Sequence, residues 1–239
     1  MVSLGLWTLF AALRLFPEWA FPAPSEVAKA LWQQTRSGEL WKDLAASLFR
    51  VSSGYVLAVV FGVPIGMVLG HSTRPRLALL PLVNFMRSLS PLAWIPFAVL
   101  WFGVGNRPAI FLIFMASFFP VVVAVMAAVA NIPAIRFQVA RDHGMRGFEL
   151  MTEVTFPAIM PQLITTLRVV AGVAWMVVVA AEMIAGRDGL GFAIWDSRNG
   201  LRIDLLVAGM VVIGLIGVAL DRLLAQLTRL PWVRWGYGR

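Results

Sequence analysis

The chain has no cysteine and only two histidines, His71 and His143, in 239 residues. Disulfides, thiolate chemistry and cysteine-ligated metals are thereby excluded, and a histidine-based metal centre lacks ligands. Charge is also scarce: 13% of residues are charged against 60% hydrophobic. No G-x-x-x-x-G-K-[ST] occurs, so the chain cannot cradle nucleotide phosphates by a P-loop. No loop brings a nucleophile, a base and an orienting group together; Ser197 beside Asp196 is adjacency in sequence, not triad geometry. The apolar runs do not alternate with period two, as the strands of a membrane barrel would.

What is present is a succession of continuous apolar runs. A soluble domain does not have this composition. The reading is an all-α polytopic membrane bundle of about six spans, at 2–16, 51–70, 79–102, 108–130, 163–185 and 205–227. A net charge of +8 does not indicate nucleic acid, because the basic residues are dispersed through short loops rather than gathered in a stripe. Residues 2–16 have the length of a signal-peptide core but lack a basic leader and a small-x-small cleavage site, so they read as a retained first span. PEWAFPAPSE then interrupts any helix, and Ser25 to Trp41, with Trp32 and Trp41, reads as an interfacial helix with its tryptophans at headgroup level.

In 51–70, Gly62, Gly66 and Gly70 recur every fourth residue, which puts them on one face and predicts close approach of another helix, while Pro64 predicts a kink. The segment 79–102 is the least lipid-like, with Pro81, Pro91 and Pro96 among Asn84, Arg87, Ser88 and Ser90. Those four polar residues are candidates for the wall of an aqueous path for a small anion; the alternative is that Arg87 snorkels to the interface. Counted from the span ends, Arg87 and Arg168 lie roughly 12 and 7 Å deep at helical rise. Glu182 falls near the opposite end of its helix, so no direct Arg87–Glu182 pair is expected, and the chemistry of Glu182 is left unassigned. Arg168 is either a gate charge or a structural partner for a headgroup or helix end. Gly186 to Asp204, rich in glycine, reads as a re-entrant or lumenal loop.

An even number of crossings places both termini on one side. Lys and Arg number nine on the side holding His71 to Arg76, the 136–161 segment and the tail, and eight on the other. The short segments carrying Arg74, Arg76 and the tail favour the cytoplasm for the first side.

Residues 136–161 form a charged island between two apolar blocks, carrying Arg141, Asp142, His143, Arg146, Glu149 and Glu153, none of which belongs at bilayer depth. Its spacing resembles the signature of binding-protein-dependent ABC importer permeases: E-A-A, three residues, G, nine residues, a β-branched residue, one residue, L-P. That register falls on Gln138, Val139 and Ala140, then Gly144, Val154, Phe156 and Pro157. Ala140, Gly144 and Pro157 agree, Val154 and Phe156 are conservative, and Gln138-Val139 replaces the leading Glu-Ala. Ser90 to Gly103, Leu167 to Gly186 and Gly189 to Asp196 are similar to the subfamily importing nitrate, bicarbonate, taurine and other sulfonates.

The resemblance implies a type I importer permease. It would work as a pair, in all expectation a homodimer, in the inner membrane, beneath a periplasmic or lipid-anchored substrate-binding protein and above two cytoplasmic ATP-binding subunits. ATP and magnesium would bind on those subunits and no cofactor on this chain. The island, with Gln138, Val139, Ala140, Arg141, Asp142, His143, Gly144, Met145, Val154 and Pro157, would be the cytoplasmic ATPase-coupling loop: a short helix, a glycine break and a second short helix begun at Pro157. Asp142 and Arg146, and Glu149 and Glu153, have helical i, i+4 spacing. An ion-coupled secondary transporter of a small anion is the other class that prolines and intramembrane charges admit, but no internal repeat of the kind such folds show is visible.

Overall fold

The computed structural model describes residues 22–226 and, before them, Gly5, Trp7, Thr8 and Leu13. The span read at 2–16 and the end of the tail from 227 onward thus fall largely outside the described residues. The described chain is helical throughout: α1 (Pro24–Ser37), α2 (Glu39–His71), α3 (Thr73–Ser88), a 3-10 turn (Pro91–Trp94) leading into α4 (Ile95–Phe102), α5 (Asn106–Ala130), α6 (Ala134–Asp142), a helical turn (Gly147–Glu149), a π-helix (Leu150–Thr155), α7 (Phe156–Ala185), α8 (Leu190–Asn199) and α9 (Ile203–Ala225). Four continuous helical stretches, Glu39–His71, Asn106–Ala130, Gly147–Ala185 and Ile203–Ala225, are long and apolar enough to cross a bilayer. A fifth crossing results if the bent pair Thr73–Ser88 and Pro91–Phe102 is one span.

Several boundaries differ from those read in the sequence. The interfacial helix does not run from Ser25 to Trp41: Gly38, at φ 83°, ends α1, and Trp41 lies on the next helix. The span read at 51–70 is the second part of a 33-residue helix. The loop at Gly186 to Asp204 contains a helix of its own, α8, with Leu190, Gly191, Ile194 and Ser197 buried.

The segment 79–102 is not one helix. Its two halves meet at 83°. The cause lies in where the prolines fall. Pro81 is tolerated inside α3, whereas Pro91 and Pro96 each occupy the first turn of a new helix, where a missing N–H costs nothing. Ser90, before Pro91, is extended at ψ 125°, as the proline ring requires.

At the centre, α5 packs against α2 along the glycine stripe. A Cβ on Gly66 would lie 2.8 Å from Val125 Cβ, and one on Gly70 would lie 2.5 Å from Val129 Cβ. Lipid tails are as apolar as leucine, so helices associate in membranes through such close van der Waals packing, and small residues permit it. Pro64 lies within this stripe, and α5 splints the helix on either side of it. Helix α2 is also tied to α7, where the Tyr55 hydroxyl donates to the Leu167 carbonyl at 2.9 Å. Trp175 Nε1 donates to the Ile213 carbonyl at 3.1 Å, tying α7 to α9.

Candidate functional site: the charged island and a buried ion pair

The two ends of the bundle are chemically unlike. At one end lies the island. Helix α6 opens after Pro133 and closes at Gly144, which sits at φ +82°. The Met145 amide donates to the Ala140 carbonyl at 3.0 Å and the Gly144 amide to the Arg141 carbonyl at 2.9 Å. These are the two bonds of a Schellman turn, with Gly144 as its left-handed residue. Ala140 and Gly144 of the sequence signature are therefore coupled by geometry. Ala140 is the buried residue of α6, and the glycine lets the chain reverse without exposing that helix's last carbonyls.

The second short helix does not exist as a separate piece. After the turn the chain is helical from Gly147 to Ala185. Pro157 sits in the first turn of α7 and starts no new segment. It has no N–H for the Glu153 carbonyl, and the widened π turn just upstream is where the helix absorbs the mismatch. Asp142 and Arg146 do not share a helix either, because α6 stops at Asp142 and Arg146 is extended at φ −144°.

Gln138, Val139, Arg141, Asp142, His143, Gly144 and Pro157 are exposed, while Met145 and Val154 are partly covered. His143 turns its Nδ1 to the Val139 carbonyl at 2.9 Å. Ile135, Val139, Val154 and Pro157 line a groove of about 430 Å³, with Arg136 and Glu153 beside them. Phe148, 81% exposed, stands at the tip. The apolar groove and the exposed phenylalanine form an uncovered apolar patch on an otherwise charged surface, a feature of the kind that protein contacts use.

At the far end is a feature that the sequence reading missed. Arg50 of α2 and Glu182 of α7 form an ion pair at 2.7 Å with side chains 1% and 0% exposed. Arg50 also donates from Nε to Asn106 Oδ1 (2.8 Å) and from Nη1 to the Asp188 carbonyl (2.8 Å), and its Nη2 contacts the Asp188 carboxylate. Glu182 accepts in addition from Ser47 Oγ (2.8 Å) and from the Gly191 amide (3.0 Å). Ser47 Oγ in turn accepts from the Leu190 amide, and Asp43 accepts from the Gly189 amide at 2.9 Å. The loop wraps the carboxylate so closely that a Cβ on Gly189, at φ +103°, would lie 2.5 Å from Glu182 Oε1. Two buried charges survive here because every donor facing them is matched. Asp43, Ser47 and Arg50 stand four and three residues apart, one helix face, and that was the available signal.

The remaining sequence candidates lie apart from both clusters. Asn84 is half-buried and Arg87, Ser88 and Ser90 are exposed on or beside α3, none of whose residues is buried. The Ser88 hydroxyl donates to the Asn84 carbonyl at 2.9 Å. Arg168 pairs with Asp221 of α9 through Nη2 at 2.9 Å, with the two side chains 33% and 60% exposed. It is thus a protein-bound charge between two spans.

A polytopic helical bundle with a glycine-turned surface island defines a membrane-embedded transport subunit. The chain belongs to the family described as binding-protein-dependent transport system inner membrane component, whose pattern it matches over residues 62–230. It is 35% identical to the taurine transport system permease protein TauC of Escherichia coli, over 97% of this chain and 86% of that one. The nitrate import permease protein NrtB of Leptolyngbya laminosa is 32% identical over 93% of this chain and 81% of its own. The bicarbonate transport system permease protein CmpB of Synechococcus elongatus is 34% identical over 82% and 70%. The fold is shared with a chain of the inward-facing MetNI methionine ABC transporter, at TM-score 0.65, 19% identity and coverage of 82% and 99%.

Proposed function

We propose that this permease carries a small oxyanion, of the size and charge of nitrate, bicarbonate or a short sulfonate, from a binding protein to the cytoplasm by alternating access. Two ATPase subunits would dock on the island and a second copy of the chain would complete the path. The observation that carries the reading is the Schellman turn at Ala140 and Gly144, which gives the signature register a physical shape and presents α6 as a rigid handle. Taurine, nitrate and bicarbonate, named for three relatives, all present an anionic oxygen group. Arg87, Asn84 and Ser88 on α3 offer a cation and hydrogen-bonding groups for such a solute. ATP and magnesium would be held by the ATPases, and both termini would lie on the island's cytoplasmic side.

The test is uptake by the permease reconstituted with its ATPase and binding protein. Gly144→Val is expected to leave ATP hydrolysis running while anion uptake falls. A Cβ on Gly144 meets nothing within 4 Å in this chain, so the strain falls on the turn and on whatever rests against it. Undiminished uptake by that variant would overturn the assignment of the island. Thermal shift of the binding protein against taurine, nitrate and bicarbonate then selects the substrate, and stabilisation only by a solute without an anionic oxygen group would refute the anion reading.

A further inference from the structure

The island is gripped by the rest of the protein at a residue outside its signature. His71, the last residue of α2, has its Nε2 2.9 Å from Thr155 Oγ1, and that hydroxyl donates to the Leu150 carbonyl at 3.1 Å. A hydroxyl has one proton. With that proton on Leu150, Thr155 can only accept from His71, which fixes the Nε2–H tautomer. The same ring meets Phe137 of α6 edge-on, with centroids 5.2 Å apart. His71 therefore touches both limbs of the island: α6 before the glycine turn, and the π-helix after it. Thr155 is fully buried and closes the π-helix, an irregular geometry that recurs at functional positions.

What lies behind His71 makes this contact more than a local tie. The residue before it, Gly70, locks α2 against Val129 of α5, so a force on His71 meets a paired helix rather than a flexible end. Helix α2 then runs unbroken to Arg50 and the Glu182 node. Those two residues are 21 positions apart, roughly 32 Å at helical rise. One helix thus carries a polar contact to the island at one end and to the α7–α8 loop at the other.

On the reading of the island as the ATPase-docking element, we propose that His71 is the positioning residue that passes its displacement to α2, and that α2 carries it to the Arg50–Glu182 node at the opposite face. The essential contact is the His71 Nε2–H to Thr155 hydrogen bond. Removing it leaves the Thr155 hydroxyl bonded to Leu150, so the fold is kept while transmission is lost.

The experiment uses the full transporter in proteoliposomes and reads ATP hydrolysed per anion imported. His71→Ala and Thr155→Val are expected to raise that ratio about five-fold or more, the scale of an ordinary coupling term. The melting temperature of His71→Ala should fall by no more than about 2–4 °C, the scale of one net hydrogen bond, whereas Thr155→Val, which also takes the partner from the Leu150 carbonyl, should fall further, so the ratio is read at a temperature where both variants are folded. His71→Gln, whose amide N–H can still donate, and Thr155→Ser are expected to keep the parent ratio. A second readout uses the cysteine-free background: a spin label at Leu201→Cys, on the opposite face, should report an ATP-dependent change in the parent that vanishes in His71→Ala. If Gly144→Val uncouples but His71→Ala and Thr155→Val do not, the proposal is wrong and the island assignment stands. If Gly144→Val does not uncouple either, the assignment itself has failed. If His71→Gln uncouples as fully as His71→Ala, the hydrogen bond is not the link and the proposal falls.

Discussion

Glu182→Gln is the most informative single change outside the island, because it keeps the shape of the side chain and removes only its charge and one acceptor. Every group that contacts the carboxylate is a donor: Arg50 Nη1, Ser47 Oγ and the Gly191 amide. An amide would turn an NH2 toward one of them. Ser47 cannot rearrange freely, since its oxygen already accepts from the Leu190 amide. Removing one partner of a buried pair costs about 3–5 kcal/mol, largely the penalty of the charge left behind. The retained contact of Arg50 with Asp188, whose side chain is 38% exposed, places the expected loss at the lower end, about 3 kcal/mol. For a chain of this size that is a fall of roughly 6–12 °C in melting temperature. Ten tryptophans allow the melt to be followed by intrinsic fluorescence in nanodiscs. The double variant Arg50→Gln with Glu182→Gln should be at least about 1 kcal/mol more stable than the sum of the singles, because two amides can pair. A Glu182→Gln protein melting within about 2 °C of the parent, or strict additivity, would refute the node as a charge-paired brace.

Other outcomes follow from the same geometry. Gly70→Leu should destabilise by about 1–3 kcal/mol through overpacking against Val129, whereas Gly172→Ala, whose Cβ meets nothing in this chain, should be neutral or stabilising; melting temperatures separate the two. Asp221→Asn breaks an exposed pair with Arg168 and should change stability by less than about 1 kcal/mol, with uptake near the parent rate. Gly144→Asn should uncouple far less than Gly144→Val, because asparagine tolerates the left-handed region; the ATP-to-anion ratio compares them.

The long apolar runs were legible because span length is a property of consecutive residues, and so was the glycine stripe, whose four-residue period is local. The signature register located the αL position at Gly144 without any structure. What could not be read were the features made by distant residues. Arg50 meets Glu182 across 132 positions, and a window of hydropathy saw Arg50 only as the edge of a span. Paired in this way, Arg50 sits buried inside α2, which begins eleven residues before it at Glu39. Proline misled twice for one reason: Pro91 and Pro157 both fall in a first helical turn, and the outcome depends on the residue before. Pro91 follows extended Ser90 and opens a new helix, whereas Pro157 follows helical Phe156 and the chain continues through it, with the π turn upstream taking up the mismatch.

Helix α3 shows why a single chain is an incomplete path on the proposed reading. It buries none of its residues, yet it carries Arg87 and Asn84 beside exposed Leu79, Leu82 and Phe85. Hydrocarbon would accept the leucines and reject the arginine, at roughly 2.5–3.5 kcal/mol on insertion scales. Water would accept the arginine and leave the leucines and phenylalanine bare. Leu80 and Val83 pack against Leu69, Val122 and Met126, and the remaining surface needs protein along part of its length and water along the rest, which on the proposed reading a second copy enclosing a solvated channel would supply. On the same reading the 83° bend at Leu89–Ser90 would serve that end, since an interrupted helix at membrane depth is tolerated where it is covered by protein or lines a water-filled cavity.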